Sequence, residues 1–427
     1  MIRVITKNIN FEIQKIQNRL SLDNRPEEAA VKEIMAGVRK KGDEALYEYT
    51  KKFDGAKLDS LRVDFLELEG AHADTPDDVL VSLRLAIKNI ADFHFKQLPV
   101  SWEKDILKSS KLAWRYTPLQ RVGLYVPGGT AAYPSSVLMN AIPAKIAGVS
   151  ELVIVSPPDK NGKLNPLVIA AAKEVGVEEI YKIGGAQAIA ALAYGTETIA
   201  PVDKIVGPGN IYVTLAKKNV SGVCGIDKLA GPSDVLSLAA DSDNPSFIAA
   251  DMLAQAEHDI LASSILLTTS ASLIKKVESE LKRQIMSLDR KHIAAQALED
   301  YGLIIMCQSE EEIINFANRI APEHCEIMMK QANEISDQVI NAGAIFIGDY
   351  SPVALGDYIA GPNHVLPTGG TARFDSPLCV TDFLKATSIV NFSASTLQAY
   401  ASDIEKLATL EGLQAHAISA AIRHSQS

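Results

Sequence analysis

The sequence predicts an α/β protein built from two doubly wound domains, each a parallel sheet with helices on both faces, and helical segments at either end. Two observations predict it. From about Arg121 short β-branched runs alternate with stretches of helical apolar spacing, and the same rhythm returns after Gly231. The strand-like runs are apolar almost throughout and do not alternate with polar residues, as expected of strands buried on both faces of a parallel sheet.

In the first run, 122–126 reads as a strand, 135–147 as a helix, 151–155 as a strand, 165–175 as a helix, 179–183 as a strand, 186–194 as a helix, 203–206 as a strand and 210–219 as a helix. In the second, 235–240, 264–269, 302–307, 325–329 and 344–348 read as strands, with helices such as 245–258 and 310–320 between them. A duplication would account for the shared rhythm, although no repeat is visible residue by residue. The segment before about residue 110 reads as mostly helical, with 25–41 and 77–95 spaced for helices. The end of the chain, after a Gly- and Pro-rich stretch closing near Pro377, reads as a helical tail.

A chain of 427 residues has room for roughly two to three domains with large cores. Its 42 basic against 52 acidic residues give a net charge of -10 with no Lys/Arg cluster, which argues against nucleic acid as a partner. The opening MIRVITKNINFEIQ mixes charges and amides among its apolar residues and has no apolar core of a signal peptide. The longest uncharged stretch, 122–144, carries Pro127, Gly128, Gly129 and Pro134, so no membrane span is expected. Cys224, Cys307, Cys325 and Cys379 show no CxxC spacing and read as buried thiols of a reducing compartment, so the expected location is cytoplasmic.

Three glycine loops come first among the chemical signals. Tyr125-Val-Pro-Gly-Gly129, Ile183-Gly-Gly-Ala-Gln187 and Val206-Gly-Pro-Gly-Asn210 each follow a strand and precede a helix, a place where backbone N–H groups can meet a diphosphate. None completes G-x-G-x-x-G, since Tyr212 stands at the third glycine position, and tight turns account for any single loop equally well. Next, Gln255 and His258 share a helical face at i and i+3, able to face one ion, although a capping histidine is the plainer reading. Adjacent Glu323 and His324, between a helix and a strand, could supply one base for water and one for an alcohol; exposed loop charge is the alternative. The loop 356–367 is rich in Gly and Pro and holds Asp357 and His364, and the tail carries Glu411 and His416 in EGLQAH, which alone reads as a solvated helix face. Gln255, His258, Asp357 and His416 together make a nitrogen and oxygen set without thiolate, acceptable to zinc or to manganese and cobalt.

These residues closely resemble the histidinol dehydrogenase family. The likeness runs along nearly the whole chain, through VRKKGD, YVPGG, GGAQAIAALAYGTE, VGPGN, GPS, QAEH, APEH, GDYIAGPNHVLPTGGTARF and EGLQAH. It implies two incomplete Rossmann-like doubly wound domains plus small helical N-terminal and C-terminal tail domains. The first domain would span 22–124 and 234–378, with 125–233 inserted as the NAD-binding domain. Residues 1–21 and 379–390 would form a small dimerisation segment, and 391–427 a helical tail reaching the partner subunit of a homodimer. Tyr125, Gln187 and Asn210 would contact NAD. Gln255, His258 and Asp357 of one subunit and His416 of its partner would hold one zinc ion per subunit. Ser233, Gln255, His258, His324, Asp357, Glu411 and His416 would grip the substrate, with Glu323 and His324 as the acid/base pair. Asp259 stands where the family usually has Gly, and Ser263-Ser264 where Ser-Gln is common, which bears on the turn near the metal.

The reaction so implied takes L-histidinol to L-histidine with two NAD molecules reduced in turn. A neutral His324 near its ordinary pKa of about 6.5 suits it, so activity should rise through neutral pH. A relative of the same fold acting on another small alcohol, such as a sulfonated diol, is the nearest competing reading. A metal-dependent hydrolase would leave the glycine loops without a purpose, and a zinc-stabilised binding protein would leave Glu323 and His324 without one.

Overall fold

In the computed structural model the described residues are 2–19, 22, 25–107, 109–128, 133–240 and 244–424. Along the chain the strands are β1 (Arg3–Ile5), β2 (Trp102–Asp105), β3 (Lys111–Pro118), β4 (Arg121–Tyr125), β5 (Glu151–Val155), β6 (Glu179–Tyr181), β7 (Lys204–Val206), β8 (Gly225–Ile226), β9 (Asp234–Ala239), β10 (Ser263–Thr268), β11 (Leu303–Met306), β12 (His324–Met328), β13 (Ala344–Ile347) and β14 (Leu384–Asn391). They form two parallel sheets, β6-β5-β4-β7-β8 and β1-β11-β10-β9-β12-β13, and a small antiparallel sheet, β14-β3-β2.

Numbered from its own first strand, the first sheet runs third, second, first, fourth, fifth. The second repeats that order over β9 to β13, with β1 added beside β11. The repeat invisible in the residues is therefore present in the topology. In each sheet the order reverses between the first and fourth strands, β4 beside β7 and β9 beside β12, which opens a crevice at the strand ends.

Both faces of both sheets are covered. On the first sheet Val122, Leu124 and Ile154 pack under the helices Pro134–Ala147, Pro166–Glu174 and Asp77–Phe95, while Val153, Val155 and Ile205 pack under Gly185–Tyr194, Ile211–Val220 and Glu27–Lys41. On the second, Leu266 and Ile304 meet the helices Pro245–Ala256 and Ala271–Gln284, and Leu236, Leu267 and Ile305 meet Glu310–Ile320 and Ile9–Asn18. The central strands β9, β10 and β12 are buried at every position, whereas the edge strand β13 leaves Ile345 and Ile347 open to solvent.

The helices Glu27–Lys41 and Asp77–Phe95, which the resemblance assigns to one domain with 234–378, bury Val31, Ile34, Leu80 and Ile90 in the cores that flank the first sheet. Residues 2–18, which the resemblance places in a small segment 1–21 with 379–390, give β1 and a helix whose Ile13 and Ile16 enter the core of the second sheet. Three strands fall in stretches read as helical. β1 is only three residues long, and β2 and β14 are exposed along most of their length, so no buried face imprints a period of two on them. Among the described residues no helix is long and apolar enough to cross a membrane.

Gly207, just past β7, has φ +110, and a Cβ there would lie 2.1 Å from the Tyr125 carbonyl oxygen at the end of β4. Gly222 has a similar φ of +100 with nothing within 4 Å. Gly207→Ala should therefore lose at least about 2 kcal/mol more stability than Gly222→Ala in chemical denaturation, the clash adding to a strain of ~1–3 kcal/mol common to both. Equal losses would show that the approach of the two strand ends is not tight.

Candidate active site

The carboxyl edge of the first sheet carries the glycine loops. Tyr125 closes β4 with its ring buried; its hydroxyl accepts a hydrogen bond from the Gly185 N–H at 3.1 Å, and burial pushes the phenol up to about 12. Gln187 is buried in the first turn of Gly185–Tyr194. Asn210 caps Ile211–Val220, its Oδ1 accepting from the N–H groups of Tyr212 at 3.1 Å and Val213 at 3.2 Å. Gly207 is held at both ends: its N–H donates to Asp227 Oδ2 at 2.8 Å, and its carbonyl accepts from the buried Lys217 ammonium at 2.5 Å. The donors of Gly185, Gly207, Tyr212 and Val213 are thus already committed inside the protein. The helices Pro134–Ala147 and Gly185–Tyr194 begin without a side-chain cap, and their N-termini are the better seats for an anion. Gly129 of the first loop lies outside the described residues.

The amino edge of the second sheet carries Glu323 and His324, the candidate acid/base pair. Asp234 opens β9 and His324 opens the adjoining β12, with His324 opposite Val235. Glu323 Oε2 accepts from the Ser233 hydroxyl and, at 3.0 Å, from the Asp234 N–H; the Glu323 N–H donates to Asp234 Oδ1 at 2.8 Å. His324 Nδ1 lies 3.0 Å from the Asp234 carbonyl oxygen, which can only accept, so Nδ1 carries the proton and Nε2 is the basic atom of the neutral ring. That Nε2 is buried without a hydrogen-bond partner, 3.8 Å from Asp357 Oδ1. Burial pushes Glu323 up to about 7. It pulls His324 down, but Glu323 and then Asp357 outweigh it and hold the imidazole up to about 9. This differs from the ordinary imidazole value expected from sequence, because both carboxylates face a ring that is buried away from solvent.

The candidate metal ligands gather at the same edge. The helix Pro245–Ala256 ends here, bringing Gln255 in its last turn and His258 just beyond, whose N–H donates to the Gln255 carbonyl at 3.2 Å. A helix C-terminus presents negative charge, which favours a cation. Gln255 is buried and its Nε2 has no hydrogen-bond partner among the described residues. Turned about its last torsion, the amide would put an oxygen in that orphaned position. Burial raises Asp357, but the nearby His324, His364 and His258 hold it below its ordinary value. Desolvation lowers His258, with Asp357 opposing. Asp259 keeps the turn after His258 in place of a glycine, its carboxylate accepting the Leu261 N–H at 2.8 Å, and Ser264 donates to the Met252 carbonyl at 2.7 Å. The sequence departures near the metal motif are therefore absorbed by local hydrogen bonds.

Glu411 and His416 are exposed in the tail, and neither is among the groups that act on His258, His324 or Asp357. Among the described residues no three His, Cys, Asp or Glu side chains stand close enough to hold a metal ion. One chain supplies Gln255, His258 and Asp357, an amide, an imidazole and a carboxylate. Sequence reasoning left two residues of the cluster without a role: Asp234, which directly follows the GPS segment, and His364, visible in the loop it singled out. The His364 Nδ1 donates to the Asp357 carbonyl at 3.1 Å.

The two edges are joined. Thr214, on the helix capped by Asn210, donates to the Ala230 carbonyl at 2.9 Å, three residues before Ser233. Tyr133, at the mouth of Pro134–Ala147, acts electrostatically on Tyr358 beside Asp357.

A sequence model described as histidinol dehydrogenase matches residues 17–424. The chain is 51% identical to the histidinol dehydrogenase of Geobacillus kaustophilus, over 97% of this chain and 99% of that protein. It is 51% identical to that of Synechococcus sp., over 93% of this chain and 92% of that protein. The crystal structure of histidinol dehydrogenase from Elizabethkingia anophelis superposes with a TM-score of 0.94 at 35% identity, covering 100% of this chain and 98% of the other.

The electrostatics can be tested in the metal-free protein. The His324 imidazole, followed by NMR, should titrate near 9, as its two carboxylate neighbours dictate. Glu323→Gln removes the larger favourable influence and should bring the midpoint down by at least about one unit. An unmoved midpoint would mean that Glu323 does not set the charge of His324.

Proposed function

Since the chain belongs to the histidinol dehydrogenase family, we propose that it oxidises L-histidinol through L-histidinal to L-histidine, reducing two molecules of NAD. The observation carrying this reading is the buried Glu323–His324 pair beside the Gln255, His258 and Asp357 donors. These donors suit zinc in chemical type, and the orphaned Gln255 amide gains a partner once its oxygen faces a cation. In the proposed assembly Gln255, His258 and Asp357 hold the ion together with the partner subunit's His416. Bound zinc supplies a fixed positive charge that orients the substrate, and bound NAD supplies the hydride acceptor.

The chain's own groups do the proton work. With Nδ1–H fixed on the Asp234 carbonyl, the buried His324 Nε2, on the Asp357 side of the ring, is the atom left to act as base for the alcohol proton. A cation held by Asp357 would offset that carboxylate's pull on the ring, favouring the neutral imidazole whose Nε2 can accept a proton. Glu323, with Oε2 anchored by Ser233 and the Asp234 N–H, takes a proton from the water that adds to the aldehyde. Its elevated pKa near 7 makes the carboxylate available from neutral pH upward, so activity rises in that direction. Ser233, Gln255, His258, His324 and Asp357, with the partner's Glu411 and the partner's His416, line the substrate. Tyr125, Gln187 and Asn210 contact NAD at the crevice where β4 and β7 part.

Two NADH should form per histidinol consumed. Glu323→Gln, which keeps shape but removes the base for water, should slow histidinal oxidation by about 10²–10⁴-fold and histidinol oxidation far less. A variant slowed only in the alcohol step would reverse the assignment.

The shared site makes a separate prediction. His258→Asn and His416→Asn homodimers should each be inactive. After random subunit exchange about half of the dimers are mixed, each with one complete site of two, so roughly a quarter of wild-type activity should return. No recovery after verified exchange would place His416 in its own chain's site.

A further inference from the structure

Asp234 stands at the centre of the acid/base pair yet has no role in the reaction as proposed. Its backbone N–H donates to Glu323 Oε2 at 3.0 Å, its carbonyl accepts from His324 Nδ1 at 3.0 Å, and its side-chain Oδ1 accepts the Glu323 N–H at 2.8 Å. Only the last contact belongs to the side chain. The other carboxylate oxygen faces Arg19, whose Nη2 lies 3.6 Å away. Both side chains are withdrawn from solvent, at 2% exposure for Arg19 and 6% for Asp234. The Arg19 guanidinium donates from Nε to the Leu261 carbonyl at 3.1 Å, from Nη1 to Ile16 at 2.9 Å and from Nη2 to Ser233 at 3.4 Å. It thereby binds the end of its own helix, the turn after His258 and the residue that anchors Glu323.

We infer that Arg19 and Asp234 are a positioning pair for Glu323, the guanidinium fixing the Asp234 carboxylate and the carboxylate fixing the Glu323 main chain. A buried carboxylate with no cation beside it would be costly, and a buried guanidinium is satisfied only by acceptors arranged as these are. The fork of Arg19 holds β9, the His258 turn and the N-terminal helix in one register. Glu323 therefore points at a fixed place relative to the metal-ligand turn without either residue touching substrate.

This rests on the proposed role of Glu323 in the aldehyde step, and a double-mutant cycle separates the two ideas. Asp234→Asn keeps the shape but sets an amide against the guanidinium. It should lower kcat for histidinal oxidation by about 10- to 100-fold, as a small misplacement of a reacting group does, with KM for histidinal within about threefold. Histidinol oxidation should fall much less. Combined with Glu323→Gln it should add nothing beyond about a threefold change, because the positioned group is already gone. Arg19→Lys keeps a charge but loses the fork, and should give the same step-selective, non-additive loss should Asp234→Asn not fold. Equal loss in both steps, multiplicative losses or unchanged kinetics in the folded variants would overturn the inference. If Glu323→Gln instead slows the alcohol step, its assignment is wrong, and non-additivity on that step still decides the role of Asp234.

Discussion

The site depends on one backbone pairing, the parallel ladder between β9 and β12. It sets His324 opposite Val235, so the two strands begin side by side and Asp234 can hold both Glu323 and His324, the proposed acid/base pair, with its N–H, its carbonyl and its carboxylate. A slip of one residue would turn the His324 ring to the other face of the sheet and move Glu323 away from its anchors. The pairing is secured from below by apolar strands, Leu236 and Leu238 beside Cys325 and Ile327, all buried. Rigidity at the chemical centre therefore comes from the core, and the polar groups at the strand ends inherit it.

The two sheets share a strand order but use opposite ends. The glycine loops lie past the carboxyl ends of the first, the usual place for a ligand in an open α/β sheet. In the second, Ser233, Asp234, Glu323 and His324 stand at the amino ends. The reversal is possible because helix Pro245–Ala256 runs against its strands and ends among those residues, so that its carbonyl end faces the cluster of His258, His324 and Asp357. The amino edge thereby becomes a place for positive charge, and the carboxyl edge, with its helix N-termini, a place for negative charge.

The alternation of apolar strands with helices was legible because burial on both faces leaves an uninterrupted apolar run. The strands from β4 to β13 were read from such runs, apart from the two-residue β8, although the edge strand β13 has one face open to solvent. The strands of the small antiparallel sheet were not legible, since β2 and β14 are exposed and their pairing is decided by β3 between them. The residues Glu323, His324, Gln255, His258 and Asp357 could be singled out by type and spacing, and the motifs carried their family likeness. Asp234 could not, because its part is played by backbone atoms that any residue possesses and by a carboxylate whose partner, Arg19, lies 215 positions earlier. The glycine loops misled in one respect. Their shape was correct, but Tyr125, Asp227 and Asn210 occupy donors that the sequence would have assigned to a diphosphate.

The tail poses the same question of completeness as the metal site. Its helices Ala394–Leu410 and Gln414–His424 leave Leu407, Leu410, Leu413, Ile418 and Ile422 open to solvent, while Ala401 and Ala408 are buried. A helix pair with so much uncovered apolar surface is an association face more than a finished domain edge. At the body of the chain, meanwhile, the proposed ligands Gln255, His258 and Asp357 are an incomplete set, and among the described residues no group of three His, Cys, Asp or Glu side chains could hold a metal ion. Under the proposed tail exchange a single event resolves both deficits. Burying the apolar face against a second copy supplies the driving force, and Glu411 and His416, carried on the same two helices, arrive where a ligand is missing. Catalytic competence is then coupled to assembly by geometry, because the energy that docks the tail is the hydrophobic energy of residues that have no part in the chemistry.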